Sequence, residues 1–301
     1  MNSPVARTIG FSRNKKSWRP AALALIVLFW ANVPASSASS TWMITVMSIC
    51  TLLTVQALEF INERHASWRI NRREFLTDLF YVVLYFTCIA KVSTALVDEP
   101  LASAKHALGI TTLWAMHLPF VAQVALGFVV IEVGQYWMHR LMHNSFLWWT
   151  HAPHHHLTQL NAAKGLVGNP IELFLVSLSV LAIFDLPLPA VFCALSVDGA
   201  VAAFAHANVR FNPPRWYAYI FTTIEHHSLH HTVGYEETRC NYANALILVD
   251  RVFGTFREGE SVVVGQDERK RLTIAQQFNF PFRPLIATIR ANFGKSASAP
   301  S

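Results

Sequence analysis

The chain has 301 residues, 53% of them hydrophobic and only 14% charged, with a mean hydropathy of +0.32 and a formal net charge of +6. Soluble domains carry roughly 25% charged residues, so the composition argues against an ordinary soluble enzyme and for a protein of the membrane. The basic excess flanks apolar runs instead of forming an aromatic-interleaved stripe, which removes nucleic acid from the expected partners. Cys50, Cys88, Cys193 and Cys240 are scattered with no CxxC spacing, and they read as reduced packing residues, not as a disulfide frame.

Residues 1–20 form a basic segment with Arg7, Arg13, Lys15, Lys16 and Arg19. Residues 21–33 are apolar but short against the ~20 residues needed to cross ~30 Å of hydrocarbon. They read either as a tilted first span or as the core of a signal peptide, with the ASSA run at 35–38 as its cleavage site. Trp42–Ile61 is a full-length span with Glu59 its only charge. Residues 79–97 form the next, with Lys91 close enough to the end to snorkel. Residues 118–138 form a third confident span and carry Glu132 and Gln135 inside it. The apolar stretch 171–205 is broken at 185–189 by DLPLP, and each half is short for a span. Prolines end helices and extend the residue before them, so this stretch reads as a helical hairpin whose two ends emerge on one side. Residues 206–301 are more polar, with Pro213, Pro214, Gly234, Gly254 and Gly259 as breakers and a loose tail from Gly294.

The basic residues orient these spans. Arg64, Arg69, Arg72 and Arg73 follow the second apolar run, the serine-rich loop before it has none, and the 98–117 loop has only Lys105. Lys and Arg accumulate on the cytoplasmic side, which places the N-terminus and the 62–78 loop inside. Four crossings then bring His139 to the cytoplasmic face, and the hairpin returns His206 to it. The expected fold is all-α: a polytopic bundle of about four spans plus the apolar hairpin, capped by a cytosolic helical lobe. Its expected segments are 21–117 for the N-terminal spans, 118–258 for a metal-site domain and 259–301 for a cytosolic extension. The expected setting is a bacterial inner (cell) membrane.

Eleven of the fourteen histidines lie between His139 and His231. The stretch HRLMHNSFLWWTHAPHHH, residues 139–156, holds six of them. His139 and His143 are four apart; His151, His154 and His155 follow HxxHH, as do His227, His230 and His231. Positions i, i+3 and i+4 share a helix face, so each set can aim its rings at a common point. Imidazole suits iron, copper, zinc and nickel. Eight such rings exceed the needs of one metal, so two adjacent ions are the natural stoichiometry. A single HxxxH would read as a solvated or capping pair, but two HxxHH sets plus HxxxH on one face do not. His206, at the hairpin's return, is a ninth candidate, with Asn208 placed to orient it. His156 and His226 extend the boxes by one residue and read as covering groups. His65, His106 and His117 read as surface or interfacial, and Trp148 and Trp149 as an anchor at the membrane interface.

These boxes, HRLMH, HAPHHH, HAN and HHSLHH, followed by NYANALILVDRVFGTF, resemble the fatty acid hydroxylase/sterol desaturase superfamily over residues 120–258. The resemblance implies an integral-membrane di-iron oxygenase with His139, His143, His151, His154, His155, His227, His230 and His231 as ligands. His206 matches a further metal-binding histidine of the family, whereas Arg210 stands where some members have another. It also implies a lipid substrate, such as a sterol, a fatty acyl chain or a polar lipid, which is hydroxylated or desaturated. Breaking an unactivated C–H bond needs an oxidant that no side chain provides; two iron ions and O2 would supply it. Each ligand ring must be oriented through its other nitrogen, with Asp250, Glu132, Asp198, Asn241 and Asn208 as candidates. Asp250 reads equally as a helix-end partner of Arg251 or Arg257. Without GxGxxG, CxxCH or a four-cysteine cluster, the electrons must come from an external ferredoxin or cytochrome.

Two other functions fit a histidine cluster. A membrane zinc hydrolase wants a glutamate base beside its ligands, as in HExxH, and neither box has one. A metal-binding or transport protein wants ligands near the bilayer midplane, whereas these cluster at helix ends.

Overall fold

The computed structural model describes residues 19–287 and 289, apart from 39, 41, 145 and 212. The basic residues Arg7, Arg13, Lys15 and Lys16, and the tail from Gly294, lie outside the described residues. What is described is almost wholly helical; two isolated bridges, Glu63 with Val209 and Thr232 with Val264, are the β pairing found among the described residues.

Four helices are long and apolar enough to cross a membrane. A shorter helix, α1 (Arg19–Asn32), precedes them, followed by α2 (Trp42–Ile61), α3 (Arg72–Ala107), α4 (Phe120–Met142), α5 (Trp148–His155), α6 (Pro170–Val176) and α7 (Leu188–His206). α2 has the bounds that the sequence suggests. α3 is much longer than the expected 79–97: 36 residues, or about 54 Å at 1.5 Å per residue. Its first turns are polar and are started by Asn71, whose side chain accepts hydrogen bonds from the amides of Arg73 and Glu74 at 3.0 Å each. Lys91 therefore lies near the middle of a helix, not at the end of one. Wide π-type turns at Tyr85–Ile89 and Thr94–Asp98 flank it.

The 171–205 stretch does fold back on itself, but its halves are unequal. The first is the short α6, an irregular turn and a single 3-10 turn at Leu181–Ile183. The second, α7, is 19 residues long, enough to cross a bilayer by itself. Pro187 and Pro189 stand at its N-terminus, where an absent N–H costs nothing. α7 is the central post of the bundle: Trp30 of α1, Phe128 and Ile131 of α4, and Phe192 and Val197 of α7 share one buried cluster. Trp30 Nε1 donates to Ser196 Oγ at 3.0 Å.

The C-terminal ends of α2, α4 and α7 meet at one face, where the Arg64 amide donates to the Asn208 carbonyl and Asn62 Nδ2 to the Arg210 carbonyl. Arg64, Arg69, Arg72 and Arg73 lie at this same end. The lobe that follows is less helical than expected. It has short helices, α8 (Arg215–Ile220), α9 (Ile224–His230), α10 (Leu248–Val252) and α11 (Ile274–Asn279), joined by irregular chain. His65 is not a surface residue; its ring is bonded to Glu260, which Arg64 also grips at 2.6 and 2.8 Å. Burial raises the Glu260 carboxyl, but hydrogen bonds from Arg64 and His65 outweigh that and hold it at about 2.

A buried ion cluster pins α3 to the lobe. Lys164 is fully enclosed, with its Nζ 2.5 Å from Glu74 Oε2 and 2.6 Å from Asp78 Oδ1. Replacing it, as in Lys164→Met, leaves Glu74 to Arg271 alone and the buried Asp78 with only the Asn161 amide, an unpaired buried charge that should cost about 3–5 kcal/mol. Thermal unfolding in detergent would read this as a large fall in Tm that the triple variant K164M/E74Q/D78N partly recovers; an unchanged Tm in K164M contradicts it.

Candidate metal centre

Nine histidines meet where α4, α7 and the lobe converge, and all nine are buried. They form two groups, within each of which the donor atoms lie no more than 4.8 Å apart: His139, His143, His151, His155 and His230 in one, and His154, His206, His227 and His231 in the other. Each HxxHH box is thereby divided, contrary to the expectation of a common focus. His151 and His155 serve the first group and His154 the second; His227 and His231 serve the second and His230 the first. Adjacent helical residues diverge by about 100°, enough for the i+3 and i+4 rings of one box to fall in different groups. α5 and α9 thus interlock the two groups, and His155 and His231 stack at 4.6 Å across them.

The second nitrogen of each ring shows what the centres require. His139 Nδ1 donates to the Tyr242 carbonyl at 2.5 Å, His154 Nδ1 to Val167 at 2.8 Å, His206 Nδ1 to Ala202 at 2.9 Å and His230 Nδ1 to Cys240 at 2.7 Å. His151 Nδ1 is 2.7 Å from Glu172 Oε1. A carbonyl can only accept, so these rings turn bare Nε2 lone pairs inward. His139 Nε2 and His151 Nε2 then face each other at 3.0 Å, and His155 Nε2 approaches the same atom at 3.0 Å. In the second group His227 Nε2 lies 2.9 Å from His206 Nε2 and 3.1 Å from His231 Nε2. His143 Nε2 and His230 Nε2 are buried with no hydrogen-bond partner. Converging lone pairs in a dry site are costly, and a cation between them removes the cost. Metal–nitrogen bonds of about 2.0–2.1 Å fit nitrogens about 3 Å apart. The residues present suit two metal ions.

Burial also keeps the rings in the ligating form. It lowers His151 to about 3, and burial followed by neighbouring imidazoles holds His155, His227, His230 and His231 well below the ordinary range.

Of the expected orienting groups, Glu132 and Asp250 act through a loop and not on a ring. Asp250 accepts from the amides of Tyr242 and Ala243 at 2.8 Å each and from Thr255 Oγ1 at 2.6 Å. It pairs with neither Arg251 nor Arg257. Glu132 accepts from the amides of Ala245 and Leu246 at 3.0 and 2.5 Å. Together the two carboxylates fix the 242–246 segment, whose Tyr242 carbonyl holds His139. Asn241, at φ +52°, donates to the carbonyls of His226 and Arg257 and closes the same loop. Asp198 reaches Glu132 and Gln135 from α7. Asn208 does not orient His206; its side chain pairs with the backbone of His65.

Glu172 was not among the expected groups. It is the third helical residue of α6 and closes a capping box with Asn169, one oxygen on the Asn169 amide and the other on His151. The NPIE run at 169–172 carries that signature, which could have marked a helix start directly after the second box. Gly165 lets the chain pass close to the second group: a Cβ there would stand 3.2 Å from the His206 ring and press on it. His156 and His226 lie outside both groups, against Phe280 and Phe256. Trp148, half-buried, packs on His143 and His155 at 5.2 Å and on Tyr235 at 4.7 Å, roofing the first group.

On the other side the centre opens into a cavity of about 1230 Å³ running between α2, α3, α4, α6 and α7. His139, His151, His154 and His206 stand in its wall, with Ile131, Leu173, Val191, Phe192 and Leu195 further along. Drug-sized pockets measure about 300–1,000 Å³, so this one has room for a larger, apolar molecule.

Fold and site together define a class: a polytopic helical membrane protein with two adjacent all-histidine groups, fit to hold metal, at one end of its bundle. Residues 124–255, somewhat under half of the chain, match the family described as Fatty acid hydroxylase. It is 28% identical over 221 residues to an ornithine lipid hydroxylase of Rhizobium tropici, covering 70% of this chain and 66% of that one. It is 32% identical over 143 residues to the alkylglycerol monooxygenase of Homo sapiens, covering 46% of this chain and 32% of that one. A very-long-chain aldehyde decarbonylase of Arabidopsis thaliana is 26% identical over 147 residues, 42% of this chain and 22% of that one. The chain thus spans about two thirds of the first of these relatives and about a third of the second. No solved structure matches it.

Glu172→Ala would leave His151 Nδ1 and the Asn169 amide without their acceptor. Loss of such a group typically costs about 10–100-fold in metal affinity. Metal titration of the purified variant should show that loss, and wild-type affinity would contradict the role.

Proposed function

We propose that the chain is a membrane-bound, O2-dependent oxidoreductase that hydroxylates or desaturates a C–H bond of a lipid, with two iron ions held by the nine histidines. One observation carries the reading: a paired all-histidine site forms the inner end of a lipid-sized apolar cavity within a membrane bundle. The names of the relatives, a lipid hydroxylase and an alkylglycerol monooxygenase, support the same chemistry.

When bound, the iron pair would supply the reduction of O2 that makes an unactivated C–H bond breakable. The balance for hydroxylation is one O2, two electrons and two protons for each alcohol and water formed. The two electrons come from an external one-electron carrier of the ferredoxin or cytochrome type. His139, His143, His151, His155 and His230 would hold one ion, and His154, His206, His227 and His231 the other. Val167, Ala202, Cys240, Tyr242 and Glu172 hold five of these rings through Nδ1 and fix their tautomers. Trp148 closes the side away from the cavity and keeps bulk water off the first group. The cavity wall presents the hydrocarbon to His139, His151, His154 and His206, so the substrate arrives from the bilayer. In this reading the site faces the cytoplasm of a bacterial inner membrane, because Arg64, Arg69, Arg72 and Arg73 flank the same end of the bundle.

Elemental analysis of the purified protein should find two irons per chain. His154→Ala should abolish lipid oxidation and lower the metal content while the helical circular dichroism is retained. One zinc per chain with hydrolytic turnover, or undiminished oxidation in the variant, would overturn the proposal.

A further inference from the structure

Glu132 of α4 is fully buried inside a span, and the carboxyl of Asp198 reaches it from α7. Glu132 Oε2 takes the amides of Ala245 and Leu246. Its other oxygen, Oε1, and Asp198 Oδ1 are buried with no hydrogen-bond partner. Among the described residues no cation stands at ion-pair distance from either acid. The titratable groups that face the pair are Asp250, behind the 242–246 segment, and Tyr85 of α3 in the cavity wall, and neither is basic. Gln135, held by Asn244 at 2.9 Å, completes the surround. An ionised carboxylate can only accept a hydrogen bond, and two that meet in a dry site cannot both be ionised. One proton shared between Glu132 and Asp198 meets both demands, and no neighbouring group supplies an alternative.

The position of the pair gives that proton a use. Asp198 and Gln135 stand in the wall of the same cavity that His139, His151, His154 and His206 border. Glu132 lies seven residues before His139 on α4 and Asp198 eight before His206 on α7, so the pair is about 10–12 Å along the helices from both histidine groups. The nine rings are an all-nitrogen, uncharged donor set, so two divalent ions would bring four positive charges that the histidines do not offset. In surroundings of low dielectric, charge is felt at that range. We infer that Glu132 and Asp198 form a proton-holding pair that offsets the charge of the metal centre. The pair gives up its proton to solvent through the cavity as the ions bind and takes one back as they leave. The inference rests on the metal-centre reading above and adds to it two residues that bond to no ring. The pair acts as a charge buffer for the centre, which an ionisable group kept at a cost inside a span is suited to do.

The test counts protons and requires no turnover. Fe2+ is titrated in the absence of O2 into the metal-free full chain in detergent, by calorimetry in two buffers of different ionisation heat. Wild type should release about one proton per chain more than Glu132→Gln. The glutamine keeps an acceptor for the Ala245 and Leu246 amides and turns a permanent N–H toward Asp198, so the loop stays held while the exchangeable proton is gone. Glu172, which touches His151, and any water on the metal contribute equally to both proteins and drop out of the difference. By linkage, iron affinity should rise with pH about tenfold per unit more steeply in wild type than in the variant. An infrared difference spectrum of wild type, iron-loaded minus metal-free, should show loss of the C=O band of a protonated carboxylic acid. That spectrum decides the matter even where the variant fails to fold. Equal proton release by wild type and Glu132→Gln, or a wild-type spectrum without the loss, would overturn the inference while two irons per chain leave the metal-centre reading standing. A wild-type chain that takes up no iron overturns both.

Discussion

Everything in the lobe follows from the need to keep nine uncharged imidazoles in a dry space with their lone pairs turned inward. A ring in that position must bury its other nitrogen as well, and that nitrogen needs an acceptor. Helical carbonyls are mostly committed to the amide four residues on, so acceptors have to come from chain that is not helical. Val167, Cys240 and Tyr242 all lie in irregular segments; Ala202 is the exception, a helical carbonyl that His206 reaches from one turn further along α7. The lobe is loop-rich because free carbonyls are what the site consumes.

Loops aimed this closely must themselves be held, and carboxylates do it. Glu132 and Asp250 come from different helices and between them take four consecutive-region amides of the 242–246 segment. Among the described residues their oxygens bond to no ring, so the two groups keep an all-nitrogen donor set while the loop remains fixed. Among the described residues, Glu172 is the one carboxylate hydrogen-bonded to a ring of the two groups, and it does so as part of a helix cap. A single side chain there starts α6, fixes His151 and borders the cavity.

The helices and the histidines were legible because hydropathy and spacing are local properties. Trp42–Ile61 is bounded by its own composition, and the boxes announce themselves by i, i+3, i+4 spacing. The division of each box between two groups was not legible, because it depends on how α5 and α9 face one another. The true length of α3 was hidden for a related reason. Its first turns look like a charged loop until Lys164, some ninety residues on, is seen to neutralise Glu74 and Asp78. Asp250 and Glu132 could be suspected as polar residues in apolar surroundings, but a backbone segment as their target has no sequence signature. Asn208 was misjudged for the opposite reason: nearness in sequence to His206 suggested a contact that the turn after α7 prevents.

On the proposed reading, the site's two sides differ in a way that couples metal binding to substrate choice. Trp148 and Tyr235 close it toward the lobe, while four of the nine rings border an apolar cavity within the bundle. Desolvation is what keeps those rings neutral and able to ligate, and the same absence of water is what an apolar chain prefers. A polar or hydrated occupant would restore solvent to His139, His151, His154 and His206 and weaken the preference of these rings for the uncharged form. The cavity therefore protects the ligands in the same measure as it selects hydrocarbon. Enlarging it toward water would damage metal retention before it broadened the range of substrates.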